Sequence, residues 1–206
     1  MKKVGIVYIC RGRYILFWKD FYLSCEKHFF PKEGEKHYFV FTDGVVYDEE
    51  NPRVHVYPIK KEFDVSGLLR PDMFLKAETK LKEMDYVYFF NANLKFVKDI
   101  GIEYFPASPD ELVVIPHSFV IKKRRKVDFP YEKNTDSLVF VSDNDNIIYI
   151  AGEGNGASSE LFLKLVKETT IRTQEVLSKE IVVTFHNDFH PNRYILNSEV
   201  RIIPQK

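Results

Sequence analysis

The sequence predicts an α/β domain with a mainly parallel central sheet flanked by helices. Apolar runs of strand length alternate with stretches of helical period along most of the chain. The first run, Lys3–Cys10, is almost entirely apolar and rich in β-branched residues, as expected for a strand buried on both faces. The 206 residues, 45% of them hydrophobic, are enough for one sizeable core, so we expect a single domain over residues 1–206.

Three strands and two helices are predicted before residue 86. Tyr14–His28 has helical spacing, and its expected buried side consists of Phe17, Phe21, Cys25 and either Tyr22 or Leu23. A second helix is indicated by apolar residues at helical spacing, with Pro71 in its first turn; they are Met73, Ala77, Leu81 and Met84. The remaining predicted strands in this half are His37–Thr42, which ends at Asp43-Gly44, and Val54–Ile59.

The second half continues the alternation. Its predicted strands are Tyr86–Phe90, Leu112–Ile115, Leu138–Val141, Ile147–Ala151 and Ile181–Phe185. The fourth of these leads into a glycine-bearing run, GEGNGASS, and then into a long helix that begins near Leu161, with Ser158 or Ser159 as its N-cap. No internal repeat or flexible linker interrupts the pattern.

Composition excludes several classes of function. Lys plus Arg and Asp plus Glu both number 30, so no global charge favours nucleic acid or a membrane. No apolar run approaches the roughly 20 residues that span a bilayer, and the start of the chain reads as a strand rather than a signal peptide. Cys10 and Cys25 lie in apolar surroundings and are interpreted as buried free thiols, which fits a cytoplasmic protein.

Polar segments follow four of the predicted strands. They read CRGRY, NAN, GEGNG and HNDFH. Ligands of open α/β sheets bind beyond the carboxyl ends of the strands, so these segments should meet around one site. Periodicity predicts no more than a polar cleft there.

Longer stretches around these segments carry a resemblance. They read VGIVYICRGRYILFWKDFYLSCEKHFF, KHYFVFTD, FFNANLKF, FPYEKNTDSLVFVSDNDNIIYIAGEGNGAS and FHNDFHPNRYIL. In this order they resemble glycosyltransferase family six, over nearly the whole chain. The resemblance implies a GT-A fold and a retaining hexosyltransferase, which transfers galactose or N-acetylgalactosamine from UDP to the 3-hydroxyl of a galactoside acceptor in α-1,3 linkage.

The resemblance also implies roles for particular residues. Asp188 matches the family's catalytic glutamate, and a carboxylate there can act as a nucleophile or stabilise an oxocarbenium-like transition state. Matching acceptor positions are His117, Phe185 and His186. Donor positions are Cys10, Tyr14, Arg70, Asn91, Ala92, Asn93, Ala151, Gly152, Glu153 and Asn187. Glu153, Asn187 and Asp188 depart from the family's usual residues.

Asn91 and Asn93 stand where many members of the family have the two aspartates of Asp-x-Asp, and some bacterial members are similarly Asn-x-Asn. An isolated Asn-Ala-Asn is more often a structural strand end. Neutral amides are poor ligands for a hard dication, but they can donate hydrogen bonds to phosphate or sugar. We therefore expect a metal-independent enzyme, without a divalent cofactor, in which basic side chains stabilise the UDP leaving group.

Alternatives remain at this stage. The altered residues also suit a non-catalytic or decayed module that binds a nucleotide sugar or an anionic surface. Asp188 could instead be a helix N-cap, and Tyr14, Arg70 and Glu153 could be ordinary surface residues. The basic run Lys122, Lys123, Arg124, Arg125, Lys126 is either a solvated loop or a peripheral membrane contact that would suit a lipid-linked acceptor. The resemblance also leads us to expect that the family's C-terminal lid segment is missing.

Overall fold

A computed structural model describes residues 1–60, 70–116, 135, 140–142, 150–178 and 199–202. These residues form a single seven-stranded sheet. Its strands are β1 (Lys2–Cys10), β2 (Gly34–Thr42), β3 (Val54–Pro58), β4 (Tyr86–Phe90), β5 (Glu111–Pro116), β6 (Ile150–Ser158) and β7 (Glu199–Ile202). Their order across the sheet is β3-β2-β1-β4-β6-β5-β7. Strand β6 runs against both of its neighbours, and the other pairs are parallel, which confirms the predicted mainly parallel α/β fold.

Helices cover both faces of the sheet. They are α1 (Ile15–His28), α2 (Arg70–Leu75), α3 (Glu78–Leu81) and α4 (Ser159–Ser178), with short 3-10 turns at Gly12–Tyr14 and Ile102–Tyr104. Alternate residues of β1 point to opposite faces: Ile6 and Tyr8 pack with α1, whereas Val7 packs in the core that contains α2, α3 and α4. The predicted cap of the long helix is confirmed, because the Ser158 hydroxyl accepts a hydrogen bond from the Leu161 amide at 3.2 Å.

The buried face of α1 differs from the predicted one. Phe21, Tyr22 and Cys25 are buried as expected, but Phe17 is 48% exposed and Leu23 is 45% exposed. Trp18 is buried instead, because its indole Nε1 donates to the Tyr47 carbonyl at 2.8 Å and its ring packs against Tyr8. A turn distant in sequence therefore selects which aromatic side chain α1 buries.

The helix predicted around Met73 is interrupted. Its four apolar residues are all buried, but the chain turns between α2 and α3, where Lys76 donates to Met73 and Ala77 donates to Phe74. These bonds reach back three residues rather than four, so they tighten and end the first helix.

The run GEGNGAS was predicted to follow a strand, and that prediction is wrong, because the run lies within β6. Glycines are required there by close packing. A Cβ atom on Gly156 would lie 2.0 Å from Tyr88 Cδ1, and one on Gly154 would lie 2.4 Å from Ile115 Cδ1. Residues 140 and 141 of the predicted strand Leu138–Val141 are not in a strand, whereas Ile181–Phe185 lies outside the described residues.

Candidate active site

The candidate active site lies at the edge of the sheet where β1, β2 and β4 end. Strand β6 reaches this edge with its first residues rather than its last, because it is antiparallel to β4 and Gly154 pairs with Phe90. Residues 150–153 therefore extend past the end of β4, on the side of Asn91–Asn93. The turns after β1 and β4 thus share one edge, as the rule for open α/β sheets predicts, whereas β6 reaches this edge with its amino end, which the rule does not predict.

The turn after β1 is fixed by an aspartate at the end of β2. Gly12 has a φ of 55°, in the left-handed region that favours glycine. Its amide donates to Asp43 Oδ1 at 2.8 Å, and Arg11 Nε lies 4.0 Å from Asp43 Oδ2. Sequence reasoning noted Asp43 only as the end of a strand. Its position at a carboxyl end, like that of Asn91, was the signal that could have identified it.

Tyr14 closes this turn, and its amide donates to the Arg11 carbonyl at 3.1 Å. Tyr14 is 55% exposed as a residue, and its ring lies edge-on to Phe17, with ring centroids 5.9 Å apart. An exposed ring held at the edge of the site can stack on a flat base.

Cys10, in contrast, is fully buried at the end of β1. Burial raises the pKa of its thiol to about 11, even though a hydrogen bond with Thr42 opposes the shift. The thiol is therefore protonated and has the character of a small apolar core residue.

Asn91 is half-buried, and its side chain contacts an arginine of α2. Arg70 Nη1 donates to Asn91 Oδ1 at 3.2 Å, and the guanidinium lies 5.3 Å from the centre of the Phe89 ring. In the tight turn that follows, the Leu94 amide bonds to the main-chain carbonyl of Asn91 at 3.2 Å, not to its side chain. The Asn91 side chain is therefore engaged by a cation rather than used to cap the turn.

The next two residues of the motif have different environments. Ala92 is buried, and its carbonyl accepts a hydrogen bond from the Tyr8 hydroxyl at 2.8 Å. Asn93 is exposed. The turn thus anchors its middle residue in the core and leaves Asn93 open to solvent.

The side chains of the Asn91–Asn93 turn are weak ligands for a metal ion. Among the described residues there is no group of three or more His, Cys, Asp or Glu side chains that could hold one. Asn91 and Asn93 supply neutral amides, and the Asn91 oxygen already accepts a hydrogen bond from a guanidinium. A dication at that oxygen would be repelled by Arg70, so the two amides of Asn91 and Asn93 do not fit a divalent ion.

The remaining predicted site residues are only partly placed. Ala151, Gly152 and Glu153 lie at the start of β6, and Gly152 is buried. Five others lie outside the described residues: His117, Phe185, His186, Asn187 and Asp188. The basic run 122–126 lies outside them as well. Within the part of the chain that is described, no helix has the length and apolar character needed to cross a membrane.

Comparisons with known proteins give a consistent result. The profile of glycosyltransferase family 6 matches residues 2–203. The chain is 33% identical to the O-antigen biosynthesis glycosyltransferase WbnI of Escherichia coli, over 98% of this chain and 88% of that protein. It is 23% identical to the globoside alpha-1,3-N-acetylgalactosaminyltransferase 1 of Mus musculus, over 94% of this chain, and 22% identical to its human counterpart, over 95%.

Coverage differs between these relatives. The chain spans 56% of the mouse protein and 57% of the human protein, so only a part of each animal enzyme corresponds to it. The match to the family profile nevertheless extends over nearly the whole chain and includes every segment that forms the site edge. The chain therefore belongs to glycosyltransferase family 6, and its function is glycosyl transfer from a nucleotide-sugar donor to a glycan acceptor.

Proposed function

We propose that the protein is a metal-independent, retaining transferase that moves galactose or N-acetylgalactosamine from UDP to the 3-hydroxyl of a galactoside. The α-1,3 linkage and N-acetylgalactosamine are supported by the names of the animal relatives, and galactose is supported by the resemblance of the site segments. The substituted positions Glu153 and Asn187 leave both sugars as candidate donors.

The hydrogen bond from Arg70 to Asn91 supports metal independence most directly. In an Asp-x-Asp site, carboxylates hold a dication that neutralises the diphosphate. Here a guanidinium lies 3.2 Å from the equivalent amide oxygen and carries a fixed positive charge at the end of β4. Such a charge can stabilise a diphosphate leaving group without a bound metal.

The other parts of the site are assigned complementary roles. Tyr14 is proposed to stack on uracil, and the amide of Asn93 to donate to a phosphate or a sugar hydroxyl. Residues 151–153 are proposed to contact the donor sugar, with Asp188 as the carboxylate on its β face. His117, Phe185 and His186 are proposed to contact the acceptor, and Lys122–Lys126 a membrane surface.

A UDP-release assay tests the metal dependence. With UDP-galactose or UDP-N-acetylgalactosamine and a galactoside acceptor, turnover should be equal in EDTA and in Mn²⁺. The triple variant Arg70→Ala/Asn91→Asp/Asn93→Asp restores the carboxylates without the guanidinium that would repel a dication, and its turnover should become dependent on Mn²⁺. Loss of wild-type turnover in EDTA that Mn²⁺ restores would show that metal independence is wrong. No release from any UDP-sugar would contradict the proposed donor.

The role of Asp188 is tested separately. Asp188→Asn removes the charge with little change in size, so its thermal unfolding should match that of the wild type while turnover falls by about a hundredfold or more. NMR of the wild-type product determines the anomeric configuration, for which α is expected. Unchanged turnover of the variant would remove Asp188 from the mechanism.

A further inference from the structure

The hydroxyl of Tyr8 joins the buried core to the Asn91–Asn93 turn. Tyr8 is fully buried near the end of β1, and its Oη donates to the main-chain carbonyl of Ala92 at 2.8 Å. Ala92 is only 7% exposed, so both ends of this hydrogen bond lie in the core. The two residues are 84 positions apart in the sequence. The turn is therefore held by a tertiary contact in addition to its own local bonds.

The position of Tyr8 in the sheet explains why a hydroxyl is useful there. Tyr8 and Phe90 form the last pair in the parallel register of β1 and β4, so the carbonyl of Ala92 lies beyond this ladder. A buried carbonyl that lacks a donor costs free energy. The tyrosine side chain extends past the last pair and donates to this carbonyl. Phenylalanine would fill the same space without supplying the donor.

The ring of Tyr8 is held by two aromatic residues of α1. Its centroid lies 4.4 Å from that of Phe21 and 5.1 Å from that of Trp18. Burial raises the pKa of the Tyr8 hydroxyl well above its usual range, so the hydroxyl keeps its proton and remains a donor. The packing thus fixes the place of Oη, and the burial fixes its role as a donor.

The same hydrogen bond sets the direction of a main-chain N–H in the turn. The carbonyl of Ala92 and the N–H of Asn93 belong to one planar trans peptide group, so they point in opposite directions. Because the carbonyl points to Tyr8 in the core beneath α1, the N–H of Asn93 points away from that core. Asn93 is exposed, so this donor faces the outside of the protein.

An oriented N–H at this position suits a phosphate. Main-chain N–H groups whose direction is fixed in advance bind phosphate oxygens well, because they need no reorganisation when the anion arrives. The turn carries amides in place of carboxylates, so it does not repel an anion. The guanidinium of Arg70, 3.2 Å from Asn91 Oδ1, adds a positive charge at the same strand end. A diphosphate is therefore the ligand that fits this turn.

We propose that Tyr8 is a positioning residue for the donor: its hydroxyl fixes the peptide between Ala92 and Asn93 so that the main-chain N–H of Asn93 donates to the diphosphate of the UDP-sugar. This role rests on the proposed function, because it requires a UDP donor at the candidate site. The contact is distinct from the one proposed for the side-chain amide of Asn93. Tyr8 is fully buried, so it acts on the ligand only through the turn.

Binding of UDP and of uridine tests this role. Tyr8→Phe keeps the ring but leaves the Ala92 carbonyl without its donor, so the peptide can rotate towards water. Its affinity for UDP, measured by calorimetry, should fall by about tenfold, whereas its affinity for uridine, measured by ligand-observed NMR, should change by less than about twofold. The matched control is Tyr88→Phe, because Tyr88 is buried and its hydroxyl donates to the Tyr104 carbonyl at 2.7 Å. The control should bind both ligands like the wild type.

A double-variant cycle separates the main chain of Asn93 from its side chain. Asn93→Ala removes the side-chain amide and keeps the main-chain N–H. If Tyr8 acts through the main chain, the losses of UDP affinity caused by Tyr8→Phe and Asn93→Ala should add in the double variant. A double variant that binds UDP no more weakly than Asn93→Ala would overturn the main-chain contact, because Tyr8 would then act through the side chain.

Two further results would overturn the positioning role. Tyr8→Phe could bind UDP as tightly as the wild type, which would show that the hydroxyl is not needed. It could also lose the same factor for UDP and for uridine, which would show that the hydroxyl only supports the fold. Failure of the proposed function looks different, because the wild type itself would then bind no UDP, and the role of Tyr8 would fall with it. Thermal unfolding of Tyr8→Phe and Tyr88→Phe establishes that both variants are folded.

Discussion

Asp43 lies at the end of β2 and holds the turn that follows β1. Its carboxylate accepts the Gly12 amide at 2.8 Å, and Gly12 adopts a φ of 55°. The Asp43 side chain is only 10% exposed, whereas Gly12, on the other side of the bond, is exposed. We infer that Asp43 is a positioning residue, because it holds the turn that leads to Tyr14, the residue proposed to stack on uracil.

Replacing Asp43 should weaken nucleotide binding more than it weakens the fold. Asp43→Ala removes the acceptor of the Gly12 amide, and the affinity for UDP measured by calorimetry should fall by about tenfold. Asp43→Asn keeps an acceptor oxygen, so its affinity for UDP should fall by less. Asp20→Ala, on the exposed side of α1, is the control. Equal UDP affinity for Asp43→Ala and the wild type would show that the turn does not need this bond.

Among elements, α1 is attached to the sheet by a buried lysine. Lys36 of β2 is 3% exposed, and its Nζ donates to the carbonyls of Glu26 and Phe29 at 3.1 and 3.0 Å. These carbonyls lie at the end of α1, where main-chain acceptors lack helical partners and a positive charge is favourable. One side chain thus caps the helix and joins it to the strand.

Lys36→Met should destabilise the protein. The substitution keeps the apolar stem but leaves two carbonyls without their charged donor, and we expect the free energy of unfolding in urea to fall by about 2 kcal/mol. Lys32→Met, at an exposed position of the following turn, should change it by less than about 0.5 kcal/mol. A Lys36→Met variant as stable as the control would show that water satisfies these carbonyls.

Glu78 connects α3 to α4 and makes this contact sensitive to acid. Hydrogen bonds from Lys167 and Lys82 lower the pKa of Glu78 from 4.5 to about 2. Because the pKa is depressed on folding, the stabilisation is fully present above about pH 4.5 and is lost as the pH falls towards 2.

The difference in Tm between the wild type and Glu78→Gln should therefore be largest at neutral pH and should shrink between about pH 4.5 and 2. Glu50→Gln, in an exposed turn, should follow the wild type at every pH. A Tm difference for Glu78→Gln that does not vary with pH would show that the carboxylate charge is not the cause.

For the molecule as a whole, local sequence predicts the helices and strands better than it predicts how they pair and pack. Strand β4 was predicted at the observed bounds, Tyr86–Phe90, because its residues are continuously apolar and end in a turn motif. The direction of β6 was not predicted, because glycines in that strand are explained only by Tyr88 and Ile115, which are far away in sequence. The burial of Trp18 was not predicted either, because it depends on the Tyr47 carbonyl, which is distant in sequence.

In the candidate site, too, the position of the turns was predicted from the sequence, but the contacts between their side chains were not. The rule for strand ends places the turns after β1 and β4 at one edge, and the structure confirms this placement. The contact between Arg70 and Asn91 could not be derived, because it depends on where α2 lies across the sheet. Residue type thus predicts which polar side chains lie at the strand ends. The hydrogen-bond partners of those side chains depend on tertiary packing.

Cys10 and Cys25 report on the stability of the whole core. Both are free and fully buried, as predicted, and burial raises the pKa of Cys25 to about 12. At pH 8 neither thiol of the native protein should react with Ellman's reagent within minutes, because reaction needs an exposed thiolate. Both should react in guanidinium chloride. Rapid labelling of the native protein would show that the core opens locally near one of them.

The packing of Tyr88 over Gly156 also has an evolutionary consequence. A slip of one residue between β4 and β6 would place Asn155 or Ala157 against the Tyr88 ring, where a Cβ atom cannot fit. The register is therefore fixed some distance from the segment that we propose contacts the donor sugar. In related enzymes this segment can diverge by substitution, residue by residue, whereas an insertion or deletion between positions 151 and 156 would disturb the sheet before it changed the specificity.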